Sequence, residues 1–209
     1  MRAPSHATLI GALAPARDMP AVLRNVLLAV LGSVFVAASA QIQVPLWPVP
    51  ITGQTFAVLI VGMAYGSRLG AATLALYLGE GAVGLPVFAK WASGPAAIIG
   101  PTGGYLVGFI FAAAAVGWLA ERGWSRTVLS TIGAMVAGNL VIYACGLSWL
   151  TNFFAGPGAA HVAATGAETA LGAAVVKGLL PFLLGDALKI ALAACAMPLA
   201  WKLVRRLRP

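Results

Sequence analysis

LLPFLLGDALKIALAACAMPLAW, residues 179–201, is apolar over a length that matches the hydrocarbon core of a bilayer, and similar runs recur along the chain. A crossing needs about 20 predominantly apolar residues. With no water to satisfy backbone N–H and C=O groups, each such run must bond to itself as a helix. Arg, Pro and Gly punctuate the sequence into spans of about Asn25–Val44, Thr55–Tyr65, Arg68–Gly84, Gly103–Ala120, Thr127–Leu150 and Val176–Leu203. The second and third are short, so one of them is expected to tilt or stop part-way. Composition agrees: 61% of residues are hydrophobic and 9% charged, where a soluble domain carries about 25% charge. The fold class expected is an all-α membrane protein, a single bundle of roughly six transmembrane helices. No second domain is expected within these 209 residues.

Orientation follows from where the basic residues fall, because cytoplasmic loops collect Lys and Arg. With both termini in the cytoplasm, Arg2, Arg17, Arg24, Arg68, Arg122, Arg126, Lys202, Arg205, Arg206 and Arg208 lie inside. Lys90 and Lys177 lie outside and Lys189 within the membrane, which accounts for all 13 Lys and Arg. An odd number of spans destroys this segregation. The net charge of +8 is thereby explained by topology. No basic helix interleaved with aromatics suggests nucleic acid.

Residues 1–23 read as a disordered cytoplasmic tail. The apolar core of ATLIGALAPA is too short for a signal peptide and is interrupted by Pro15. Residues 24–209 form the membrane domain. Cys145 and Cys195 fall within apolar runs and are expected to pack as small apolar side chains. His6 and His161 lie outside the membrane. No HExxH, no metal-ligand cluster and no Gly-rich loop ending in Gly-Lys-Ser/Thr occurs in the sequence. The expectation is no metal, no cofactor and no ATP motor carried by this chain. No internal repeat is visible.

The loops on the outer face are the elaborate ones. VPLWPVPITGQT holds three prolines, which stiffen their own and their neighbours' backbone. GLPVFAKWASGPAAIIGPTGGY mixes Pro, Gly and aromatics, and the third loop runs from Thr151 to about Gly172. Elaboration of one face implies that this face meets something. Asp186 and Lys189, three apart and on one helix face, each cost about 2.5–3.5 kcal/mol at the centre of a span. They are either a mutual ion pair or part of a ligand site on the outer half of the last span. In GNLVIYACGLSWL, Asn139 and Tyr143 share a helix face, and a membrane-buried amide needs a partner. GPTGGY opens the fourth span, where helix N–H groups favour anionic oxygens. Ala29, Ser33 and Ala37 make a small-xxx-small ridge that lets another helix approach.

Taken in order, VPLWPVPITGQT, GSRLGAATLALYLGEGAVGLPVFA, GPTGGYLVGF, GNLVIYACGLSWL and PFLLGDALKIALAA resemble the BioY family, over most of residues 24–200. The resemblance implies six spans and high-affinity biotin capture at the outer face of a bacterial plasma membrane. It also implies a substrate-capture (S) component of an energy-coupling-factor (ECF) transporter, working with a transmembrane coupling protein and cytoplasmic ATP-binding subunits. It is not an enzyme on this reading. The family's GDxxK element falls on Gly185, Asp186 and Lys189. Its first-loop element falls on Pro48, Pro50, Thr52, Gly53 and Gln54, and its Pro-Thr-Gly-Gly-Tyr on Pro101, Thr102, Gly103, Gly104 and Tyr105. The implied substrate site adds Asn139 for the ureido group, with Trp47, Phe88, Trp91, Tyr105, Tyr143 and Trp149 as aromatic walls. Lys90 or the GPTGGY turn is expected to receive the carboxylate. The ridge at Ala29, Ser33 and Ala37 is the expected partner-docking surface, although the family's ridge commonly has Ala where Ser33 stands. A self-sufficient or oligomeric carrier, and an S component for another small vitamin, stay open as alternatives. A membrane enzyme using Asp186 and Lys189 lacks a nucleophile or cofactor loop.

Overall fold

The computed structural model describes residues 8–13 and 20–207. They form α1 (Leu9–Leu13), α2 (Ala21–Gln41), β1 (Gln43–Val44), β2 (Ile51–Thr52), α3 (Gln54–Tyr65), α4 (Ser67–Ala82), α5 (Pro95–Ile99), α6 (Gly103–Glu121), α7 (Val128–Ala155), α8 (Ala170–Gly178) and α9 (Leu183–Leu207), with single turns of 3-10 helix between some of them. Among the described residues, four helical stretches are long and apolar enough to cross a membrane: Ala21–Gln41, Gly103–Glu121, Val128–Ala155 and Ala170–Arg206, the last containing a break; α3 is shorter but also apolar. Large apolar side chains face outward, among them Leu140, Leu184 and Leu199 at 64, 85 and 67% exposure. Lipid is the solvent that suits such a surface.

Within lipid, apolar burial does not drive helices together; close packing of small residues does. α6 is the centre of the bundle, against α3, α4 and α7. Its approach to α3 and α4 is set by glycines. A Cβ on Gly62 would lie 2.7 Å from the Ala113 carbonyl oxygen, and one on Gly117 would lie 2.4 Å from the carbonyl carbon of Gly66. Gly66, at φ 87°, makes the left-handed turn from α3 into α4 that side-chain-bearing residues disfavour. Leu59, Met63, Leu74, Tyr77, Met135, Ile142, Leu150 and Phe154 fill the core.

The two ends of the bundle differ. At one, the Ser67 N–H and hydroxyl donate to Glu121 Oε1 at 2.7 and 2.9 Å. There Trp201 Nε1 donates to Ser125 Oγ at 3.0 Å, and the Arg126 guanidinium lies 5.0 Å from the Trp201 ring centre. Lys202, Arg205 and Arg206 in the final turns of α9 belong to this end. The opposite end carries the β1–β2 ribbon, α5, α8 and the long connections.

Several expectations need correction. The first span stops at Gln41, and Gln43–Val44 pairs antiparallel with Ile51–Thr52 to close the proline-rich loop. The last span does not begin at Val176. The chain breaks at Leu179 (φ −126°, ψ −60°) and restarts at Leu183. Pro181 has no N–H for the Lys177 carbonyl, and in a continuous helix its ring would clash there. Within the tail, Leu9–Leu13 is helical and Leu9 is buried against the core; Arg2, Arg17 and Arg208 lie outside the described residues. Of the ridge at Ala29, Ser33 and Ala37, Ser33 is fully buried, 3.0 Å from Glu80 Oε1 of α4, so its small side chain admits this chain's own α4, while Ala29 and Ala37 are half-buried. Glu80, within α4, is the acidic partner in that contact.

Candidate functional site

The polar cluster that the last span carries is closed by three helices. Asp186, in the first turn of α9, is 4% exposed. Lys189 Nζ lies 3.0 Å from Asp186 Oδ1 and donates to Thr55 Oγ1 at 2.8 Å. The Thr55 hydroxyl, at the start of α3, donates in turn to Asp186 Oδ1 at 3.3 Å. The Tyr143 phenol, from α7, donates to Asp186 Oδ2. Both carboxylate oxygens are thus occupied, and the aspartate neutralises the lysine while orienting three donor groups. Breaking such a buried pair by removing one partner costs about 3–5 kcal/mol.

Thr55, Tyr143 and Lys189 form the polar part of a cavity of about 260 Å³. The first loop lines it with Pro48, Val49, Pro50, Thr52 and Gln54; the second with Phe88, Lys90, Ala96, Ala97 and Thr102; the helices with Tyr105, Leu106, Ile142 and Phe182. Mostly apolar walls with a few fixed polar groups are the usual construction of a small-molecule site. Those polar groups are held. Thr52 Oγ1 donates to Gln54 Oε1 at 3.1 Å, and Gln54 Nε2 donates to the Tyr77 hydroxyl at 2.7 Å. Tyr105 donates to the Gly178 carbonyl at 2.8 Å and stacks on Phe182. Lys90 is exposed at the cavity's outer rim, and the salt bridges among the described residues give it no carboxylate partner.

Of the residues singled out from sequence, Thr52, Gln54, Phe88, Lys90, Thr102, Tyr105, Tyr143 and Lys189 line the cavity. Asp186 stands behind it, reaching it through its three partners. Trp47 does not line it. Its ring lies 4.7 Å from that of His161 and 6.3 Å from that of Phe154, pinning the first loop to the third. Trp91 and Trp149 are also off the cavity, and Trp149 Nε1 donates to the Gly100 carbonyl. Asn139 lies in the bundle with Oδ1 buried and no hydrogen-bond partner among the described residues. Gly103 and Gly104 have a packing role instead. The Gly103 N–H is already bonded to the Gly100 carbonyl at 3.1 Å, and a Cβ on Gly104 would lie 2.2 Å from Trp149 Cβ. Thr55 was missed, because a threonine at the start of a helix needs no special explanation.

A helical membrane protein with a ligand-sized cavity at the end of its bundle opposite the basic helix ends is what this geometry defines. The BioY family profile matches residues 8–206. The chain is 35% identical over 172 residues to the biotin transporter BioY of Thermotoga maritima, covering 82% of this chain and 92% of that one. It is 35% identical over 170 residues to a probable biotin transporter BioY of Pyrococcus horikoshii, covering 81% and 91%. The fold superimposes with a TM-score of 0.66 on the crystal structure of the S-component for biotin from an ECF-type ABC transporter, at 21% identity over 90% of this chain and 92% of that one. The chain belongs to the BioY family.

Proposed function

We propose that this protein captures biotin for uptake, as the S component of an ECF-type transporter in a bacterial plasma membrane. In this reading six helices (α2, α3, α4, α6, α7 and α9) cross the bilayer, both termini are cytoplasmic, and the cavity opens outward. A coupling protein and ATP-binding subunits supply the energy. The basic end of the bundle supports the orientation, and the sequence's lack of a phosphate-binding loop ending in Gly-Lys-Ser/Thr supports the dependence on partners.

One observation carries the reading: the cavity joins an electrically compensated floor to an uncompensated cation at its rim. Lys189 is neutralised by Asp186, so the floor suits a polar but uncharged group. The biotin ureido ring is such a group, with a carbonyl to accept from Lys189 and N–H groups to donate to the Tyr143 phenol or Thr55 hydroxyl oxygen. The sulfur ring then lies against Phe88, Tyr105, Ile142 and Phe182. The valerate carboxylate reaches the exposed end, where an anion is least desolvated and Lys90 stands ready. The reverse placement would bring a carboxylate against Asp186, two like charges in a poorly hydrated site.

Biotin is expected in a denatured extract of the detergent-purified protein by mass spectrometry, and apo protein is expected to bind it 1:1 in calorimetry. Vesicles holding this chain alone are expected to show no ATP-dependent uptake until partner subunits are added. Absence of biotin binding by the folded protein would overturn the reading, and a thermal-shift screen with other vitamins would then identify the ligand.

A further inference from the structure

The turn that carries Lys90 to the cavity is unusual, and the structure shows what holds it. Lys90 and Trp91 both have positive φ, 60° and 59°, a conformation that side-chain-bearing residues disfavour and that persists only where surroundings impose it. Two anchors impose it here. The Phe88 ring is 3% exposed and sits edge-on to Tyr77 at 5.5 Å, in the space that a Cβ on Gly81 would fill. The second anchor is Gln41, the last residue of α2. Its Nε2 donates to the Phe88 carbonyl at 3.0 Å and its Oε1 accepts from the Trp91 N–H at 3.3 Å. One amide therefore bridges both sides of Lys90. The backbone bond from Phe88 N–H to the Ala92 carbonyl, 3.1 Å, closes the loop behind it.

We infer that Gln41 is a positioning residue: its amide holds the left-handed Lys90–Trp91 turn so that the Lys90 ammonium stands at the cavity rim and selects ligands with an anionic end. Without that clamp the turn relaxes toward negative φ, and a long, flexible lysine on an unrestrained loop loses its fixed place over the cavity. The effect falls on the charged end of the ligand and spares the floor, because the hydrogen bonds of Gln41 go to Ala37, Phe88 and Trp91 and to none of Thr55, Tyr143, Asp186 or Lys189. The inference rests on the biotin orientation proposed above.

Calorimetry on the full-length purified protein with two ligands, biotin and its neutral primary amide, tests it. Wild type is expected to prefer biotin. Gln41→Ala is expected to weaken biotin about tenfold while changing the amide less than twofold, as is Lys90→Ala. The double variant is expected to be no weaker than Lys90→Ala alone, because coupled residues fail to add. Gln41→Met, which keeps the volume and removes the hydrogen bonds, is expected to repeat the pattern with a melting temperature near wild type, which covers the case in which the alanine variant does not fold. Equal losses for both ligands in the Gln41 variants, or additive losses with Lys90→Ala, would overturn the positioning role. A Lys90→Ala protein that binds biotin as wild type does would overturn it too, while leaving biotin capture standing. Only failure of the wild type to bind biotin would reach back to the proposed function.

Discussion

Asp186→Asn is expected to weaken biotin binding by at least tenfold in calorimetry on purified protein, while the protein still inserts and purifies as a folded species. The substitution keeps the shape of the side chain and removes its charge. Lys189, whose side chain is only 14% exposed, is then left as an uncompensated cation at the cavity floor. The Tyr143 phenol and Thr55 hydroxyl lose a charged acceptor, and bonds to a charged partner contribute about 1.5–3 kcal/mol, against about 1 kcal/mol for neutral ones. Stability and binding can be separated. Replacing both charges, with Asp186→Ala and Lys189→Met together, removes the buried pair as a unit, which in other proteins is often neutral for stability. The double variant is expected to recover most of the melting temperature lost by Asp186→Ala alone and to recover none of the affinity. Were Asp186→Asn to bind biotin within twofold of wild type, the cluster would be a structural ion pair and the ligand's polar head would lie elsewhere.

What made Asp186 and Lys189 legible in the sequence is their cost. A charge amid LLPFLLG and ALAACAM demands a reason, and the family resemblance supplied one. Helices α3, α4, α6 and α7 were legible to within a few residues at most ends, because Gly, Pro and Arg mark where a span leaves the hydrocarbon. The same logic failed at the last span. An Ala-rich helix running into Pro181 looks like one bent element, whereas the missing N–H and ring clash end α8 and start a new helix. At Ser33 a small residue reads equally as a surface for a stranger or for the chain's own α4, and the fold sets α4 against it. Gln41 and Thr55 were invisible for a further reason. A polar side chain at a span's end is expected to meet water, and only the folded chain shows that one clamps a distant loop and the other sits on Lys189. The left-handed turn at Lys90–Trp91 likewise has no local signal, since neither residue is glycine or asparagine. Trp47 and Asn139 were over-read. An aromatic in a loop and an amide in a span are both chemically suggestive, but the first pins one loop to another and the second lies away from the cavity.

Gly104→Ala is expected to lower both thermal stability and biotin affinity, although the residue does not line the cavity. The added Cβ would lie 2.2 Å from Trp149 Cβ and 2.6 Å from the Cys145 carbonyl oxygen. Neither atom is the tip of a flexible side chain, so α6 and α7 have to separate, and overpacking of this kind costs about 1–3 kcal/mol. The separation acts where the site is built. Trp149 donates to the Gly100 carbonyl, directly before the turn that holds Thr102, and the next residue, Tyr105, lines the cavity with its hydroxyl fixed to the Gly178 carbonyl. Gly79→Ala is the control, since a Cβ there meets nothing within 4 Å and alanine favours helix by up to about 1 kcal/mol. It is expected to melt at or above the wild-type temperature with biotin binding unchanged. In lipid, with no hydrophobic force to press helices together, the contact that sets the α6–α7 distance also sets the width of the cavity between the two loops. A Gly104→Ala protein that melts and binds as wild type does would break that link.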